Sequence, residues 1–124
     1  KLYIYQDNPT NSLIIKNGQL KNLEIKFVGA NKRIFKNQNS QRFNKRGLTG
    51  CLNIYNAKLE NVSLEINQGE CEDSLNIINS MGSISSIKVF NAYQDAIDLD
   101  FSELKINRIE VKNSGNDSTG VVTV

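Results

Sequence analysis

Histidine is absent from the 124 residues. Ser-His-Asp triads, Cys-His dyads and His-ligated metals are therefore impossible within this chain. Only two cysteines are present, Cys51 and Cys71, and a separation of 20 residues suits neither a zinc knuckle nor a CxxC redox pair. Proline occurs once. No apolar run approaches the ~18 residues a spanning helix needs, and no signal peptide is visible. The start at Lys1 rather than Met points to a processed or excised piece. Net charge is only +2 with 39% hydrophobic and 23% charged residues, a balance that suits a packed core and not a disordered tail. The length is that of one domain, residues 1–124.

Repetition organises the chain. A pattern apolar-x-x-apolar-x-apolar recurs as Leu20-Leu23-Ile25, Leu59-Val62-Leu64, Ile84-Ile87-Val89 and Ile106-Ile109-Val111, at offsets of 39, 25 and 22. Alternating pairs precede each copy: Leu13/Ile15, Leu52/Ile54, Leu75/Ile77 and Ile97/Leu99, at offsets of 39, 23 and 22. The two patterns keep step. Each copy reads as two short strands with period-2 alternation separated by turn residues. One such copy cannot bury its apolar face alone, whereas stacked copies bury a continuous core, as in a solenoid.

Asparagine marks the turns. Asn17, Asn56 and Asn79 fall at one equivalent position, and Asn91 and Asn113 at another, with Asn67 close to it. Asn tolerates the left-handed conformation of a sharp turn, and stacked Asn amides can bond to one another as a ladder. The coil pattern, with Gly50-Cys51-Leu52-Asn53-Ile54, Glu72-Asp73-Ser74-Leu75-Asn76-Ile77 and Asp95-Ala96-Ile97-Asp98-Leu99-Asp100-Phe101-Ser102, resembles the right-handed parallel β-helix repeat family, the pectate-lyase-like superfold. The resemblance covers roughly residues 12 to 117. It implies an all-β, right-handed parallel β-helix solenoid of about four to five coils with one loop insertion. Leu2-Tyr3-Ile4-Tyr5 reads as a partial coil before the repeats and residues 121–124 as one after them. Solenoid ends expose backbone and core, so further coils or end-to-end association are expected to cover them.

The 39-residue offset places about fifteen extra residues in a loop within 31–50. It carries Lys32, Arg33, Lys36, Arg42, Lys45 and Arg46, interleaved with Phe35 and Phe43, and no acidic residue. Residues 1–50 total +8 and residues 51–124 total −6, so one end of the solenoid is basic and the other acidic. Three roles follow for the basic loop: simple solvation or pairing with the chain's own acidic coils, contact with an acidic polysaccharide or other anionic polymer, or head-to-tail assembly. No motif for nucleic acid accompanies the charge.

Asp73, Asp95 and Asp117 recur at steps of 22 and stack at one edge of consecutive coils. If Ile97, Leu99 and Phe101 face inward, Asp98 and Asp100 face outward. Asp73, Asp95, Asp98 and Asp100 then form a carboxylate stripe that could take Ca²⁺, while a turn role for the Asp residues is the plainer reading. Asp95-Ala96-Ile97-Asp98 looks like the acidic strand motif of β-helix polygalacturonases, and Asn116-Asp117 sits where those enzymes keep an acidic pair. The resemblance implies acid–base roles for Asp95, Asp98 and Asp117, although the family's His is missing here and Asn116 is not acidic.

Cys71 counts about three residues off the column of Cys51, which predicts two free thiols. Asn61-Val62-Ser63 and Asn116-Asp117-Ser118 match glycosylation sequons. Among Tyr3, Tyr5, Tyr55 and Tyr93, alternation turns Tyr55 outward as the best candidate to stack on a sugar ring. The expected function is a non-catalytic scaffold or carbohydrate-interaction module of a larger protein. A polysaccharide hydrolase or lyase segment and a self-stacking unit are the alternatives.

Overall fold

The computed structural model describes residues 1–30 and 48–114. Among these there is no helix, and eleven strands pair only in parallel. They are β1 (Leu2–Tyr5), β2 (Leu13–Lys16), β3 (Gln19–Lys21), β4 (Glu24–Val28), β5 (Gly50–Tyr55), β6 (Lys58–Asn67), β7 (Asp73–Ile78), β8 (Met81–Ala92), β9 (Asp95–Asp100), β10 (Glu103–Ile106) and β11 (Ile109–Ser114). One sheet runs β2-β5-β7-β9, and the rest form a seven-stranded sheet through β1-β4-β6-β8-β10. β3 and β4 both pair with β6, and β10 and β11 both pair with β8. The coil therefore has three sides, and the long β6 and β8 each bend across two of them. The fold is a parallel β-solenoid of about four turns. The sequence pattern shows two strands per coil because two of the sides share one unbroken strand in the middle coils.

Inward side chains stack like upon like. Leu13, Leu52, Leu75 and Ile97 form one file, and Ile15, Ile54, Ile77 and Leu99 the next. Across the core, Ile25 lies on Leu64, Ile87 and Ile109 in turn, and Phe27 on Ile66, Val89 and Val111. β-branched and leucine side chains suit this pleated, fully packed surface. The middle coils are buried throughout, while the files end on half-buried Leu13, Ile15, Leu104 and Val111. β1 does pair with β4, Leu2 opposite Ile25 and Ile4 opposite Phe27, as a partial coil ahead of the repeats.

The repeat register needs one correction. Leu59 stands opposite Gly82 and Leu64 opposite Ile87, a step of 23, so the third and fourth copies of the six-residue pattern are slid by two residues against the first two. A two-residue slip keeps the same face inward and is invisible to an alternation pattern. A bulge between Leu59 and Ser63 absorbs the change, and Gly82 makes it feasible. A Cβ on Gly82 would lie 1.8 Å from the carbonyl oxygen of Leu59.

Three corners turn the chain. Asn17, Asn56 and Asn79 are left-handed, and the Nδ2 of Asn56 donates to Oδ1 of Asn17 at 2.9 Å and that of Asn79 to Asn56 at 3.3 Å. A second corner repeats the device with left-handed Asn22 and Asn61, bonded at 2.9 Å. The third holds left-handed Gln68, Asn91 and Asn113; Asn91 bonds to Asn67 at 3.0 Å and Asn113 to Asn91 at 3.1 Å. The expected ladders exist; the Asn22–Asn61 step went unread in the sequence, where its 39-residue offset, the same as that of Asn17 and Asn56, was the available signal.

Candidate functional site

The side of β2-β5-β7-β9 that faces away from the apolar core carries two files. One is Ile14, Asn53, Asn76, Asp98, and the other Lys16, Tyr55, Ile78, Asp100. Ahead of them, Gly50, Asp73 and Asp95 stand in register at the strand starts. The expected stack of Asp73 on Asp95 is thus in place, and its third member, Asp117, lies outside the described residues. So do Lys32, Arg33, Lys36, Arg42, Lys45 and Arg46. Gly50, at the end of the stretch that holds the insertion, is the first residue of β5.

The start of this face is a buried polar inlay. Asn53 accepts from the amide of Gly50 at 2.9 Å, and its Nδ2 donates to the carbonyls of Gly50 at 2.8 Å and Leu13 at 3.1 Å. Gly50 is closely walled: a Cβ there would meet the Leu52 carbonyl oxygen at 2.7 Å and Cβ of Asn76 at 2.9 Å. The hydroxyl of Thr49 donates to Oδ2 of Asp73 and accepts from Nδ2 of Asn76 at 2.9 Å. Oδ1 of Asn76 is buried with no hydrogen-bond partner.

Electrostatics follow from this packing. Burial pushes the Asp73 carboxyl up to about 7; the Thr49 hydroxyl opposes the rise, and Asp98, Glu72 and Asp95 add to it by repulsion. Asp98 is raised to about 6, first by burial and then by Asp100, with Asp95 and Glu72 contributing. Among the described residues no three carboxylates or thiols converge on a geometry that could hold a metal ion. Asp98 lies close enough to Asp100, Asp95 and Asp73 for their charges to repel.

Tyr55 faces outward as alternation predicts and is 39% exposed. Phe101 does not face inward. It is 80% exposed at φ 49°, occupying the left-handed corner after Asn79. The alternation that holds through Ile97 and Leu99 stops there, because a left-handed residue rotates its side chain out of the strand's two-fold pattern.

The expectation of free thiols is also corrected. Cys51 and Cys71 form a disulfide, with Cα atoms 5.5 Å apart. Counting along extended strands misplaced Cys71, because Gln68 and Gly69 both have positive φ, 61° and 113°, and fold the chain back over β5. Gly69 leaves room for the bridge, since a Cβ would come within 2.8 Å of the Cys51 sulfur.

No protein-family model, curated protein or solved structure matches the chain. The fold is established by its own geometry. No helix among the described residues is long and apolar enough to cross a membrane. The basic and acidic halves meet where the first two coils touch, through Lys21–Glu60 at 3.7 Å and Lys26–Glu65 at 3.8 Å. Part of the charge split is therefore spent inside the solenoid, in one exposed and one half-buried pair worth about 0–1 kcal/mol each.

Proposed function

We propose that the chain is a non-catalytic β-solenoid scaffold that presents a carbohydrate-interaction surface, in the manner of pectin-lyase-like solenoids. The observation that carries this reading is the outer file Lys16–Tyr55–Ile78–Asp100, with Asp98 beside it. A half-exposed tyrosine on a flat, rigid sheet offers an apolar ring to the C–H face of a sugar, and carboxylates accept its hydroxyls. The internal disulfide fits an oxidising compartment such as the cell exterior, where glycans are met. Affinity electrophoresis against neutral and acidic polysaccharides tests it. Retardation by at least one polymer, lost in Tyr55→Ala and unaccompanied by new reducing ends, is expected; no retardation by any polymer removes the proposal.

A second reading, glycosidic cleavage, is favoured by Asp98. Its carboxyl holds a proton up to about 6 beside Asp100 and Asp95, the pairing of a proton donor with neighbouring carboxylates that acid–base catalysis uses. New reducing ends that vanish in both Asp98→Asn and Asp95→Asn would establish it over the scaffold.

A further inference from the structure

Along the first corner the residue type changes once. Asn17, Asn56 and Asn79 hold φ of 57°, 52° and 47°, and Phe101 follows in the fourth coil at 49°. A bulky side chain is a poor occupant of this conformation, and one that is 80% exposed recovers nothing by packing. Asparagine would cost less and would continue the ladder. An exposed aromatic held in an unfavourable conformation is therefore a lead to function.

Two surface grooves follow the same corner, and Phe101 stands outside their lining. A surface groove of about 540 Å³ runs along the corner over Asn17, Gln19, Asn56 and Asn79, and a second of about 690 Å³ continues to Glu103 and Leu104. Lys58 and Met81 line both. Each ladder bond uses one amide N–H and one oxygen lone pair, which leaves unspent hydrogen-bonding capacity on Asn56 and Asn79 at steps of ~4.8 Å. Asp100 and Glu103 stand on either side of Phe101 in the chain. They accept hydroxyls.

We propose that this corner binds an extended, uncharged glycan running along the solenoid axis, with the Phe101 ring stacked on a sugar face and the Asn file bonding successive hydroxyls. This rests on the carbohydrate reading above and names the polymer class and the anchoring residue. Asp100 and Glu103 are offset along the groove by Lys58 and Lys105, so the path carries no net charge to draw a polyanion. The bare ring, with no pocket around it, suits a flat sugar face better than a peptide side chain.

The test is calorimetric titration of the whole chain with cellohexaose, xylohexaose, mannohexaose and chitohexaose, and with polygalacturonate and heparin as acidic polymers. Wild type is compared with Phe101→Asn and with Tyr5→Ala, which removes a 72% exposed ring from β1, outside this corner. At least one neutral hexasaccharide is expected to bind. Phe101→Asn should weaken it by about tenfold or more, as for an anchoring aromatic, while raising Tm by a few degrees. Tyr5→Ala should leave binding unchanged. Equal binding by Phe101→Asn, or a lowered Tm in that variant, overturns the inference. Binding confined to the acidic polymers overturns it while keeping the carbohydrate reading, and no binding at all removes both.

Discussion

The hydroxyl of Thr49 donates to the carboxylate of Asp73, 24 residues further along and only 4% exposed. This contact fastens the residue before β5 onto the first residue of β7, and it places an ionisable group where water does not reach. The consequence is a stability that depends on pH.

Asp73 ionises near its ordinary 3.8 in the unfolded chain and near 7 in the folded one. Between those values the native state holds the extra proton, so stability is full below about pH 4, declines as pH rises, and levels off above about 7. At ~1.4 kcal/mol per unit the displacement amounts to roughly 4 kcal/mol. Asp98, raised to about 6, titrates in the same direction. Urea unfolding at pH 5 and pH 8 should show wild type weaker at pH 8. Asp73→Asn keeps an acceptor for Thr49 and should lose most of that difference. An equally steep decline in the variant would show that Asp73 is not its source.

Reduction of the Cys51–Cys71 bridge opens a loop of 20 residues. Chain-entropy bookkeeping gives about 3 kcal/mol for a loop of that size. A Cys51→Ser, Cys71→Ser double variant should therefore show a lower urea midpoint than the oxidised protein. Added reductant should bring wild type to the same value and leave the variant unmoved. A midpoint indifferent to both would count against the bridge.

Gly82, the second residue of β8, makes the tightest backbone approach among the described glycines. With φ 123° and the Leu59 carbonyl oxygen 1.8 Å from any added Cβ, Gly82→Ala forces β6 and β8 apart. The expected loss exceeds about 3 kcal/mol, from backbone displacement together with an unfavourable dihedral. Gly18, whose Cβ would meet its nearest neighbour at 3.8 Å, is the matched control and should tolerate alanine. Comparable denaturation midpoints for the two variants would contradict the packing at Gly82.

The Asn file can be separated into backbone and side-chain parts. Asn56→Ala loses both the left-handed preference and the bonds to Asn17 and Asn79, for about 1–2 kcal/mol in all. Asn56→Gly restores the backbone freedom and should recover about half of that. If glycine proved as costly as alanine, the amide bonds alone would carry the file.

Periodicity determined the core. Leu52, Leu75 and Ile97 could be placed on one inward file from the sequence, because a strand's two-residue repeat leaves a single face for apolar side chains. The Asn file and the register of Asp73 on Asp95 followed from offsets that a stacked coil must preserve. Where the chain leaves the strand conformation, counting fails. Left-handed Gln68 and Gly69 returned Cys71 to Cys51, and left-handed Phe101 was turned out of the core. The meeting of Thr49 with Asp73 and Asn76 was settled by the stacking of β5 on β7. Repeating dihedrals let sequence distance stand for position in space; at the corners a change in φ redirects everything that follows, and only the folded chain shows where it goes.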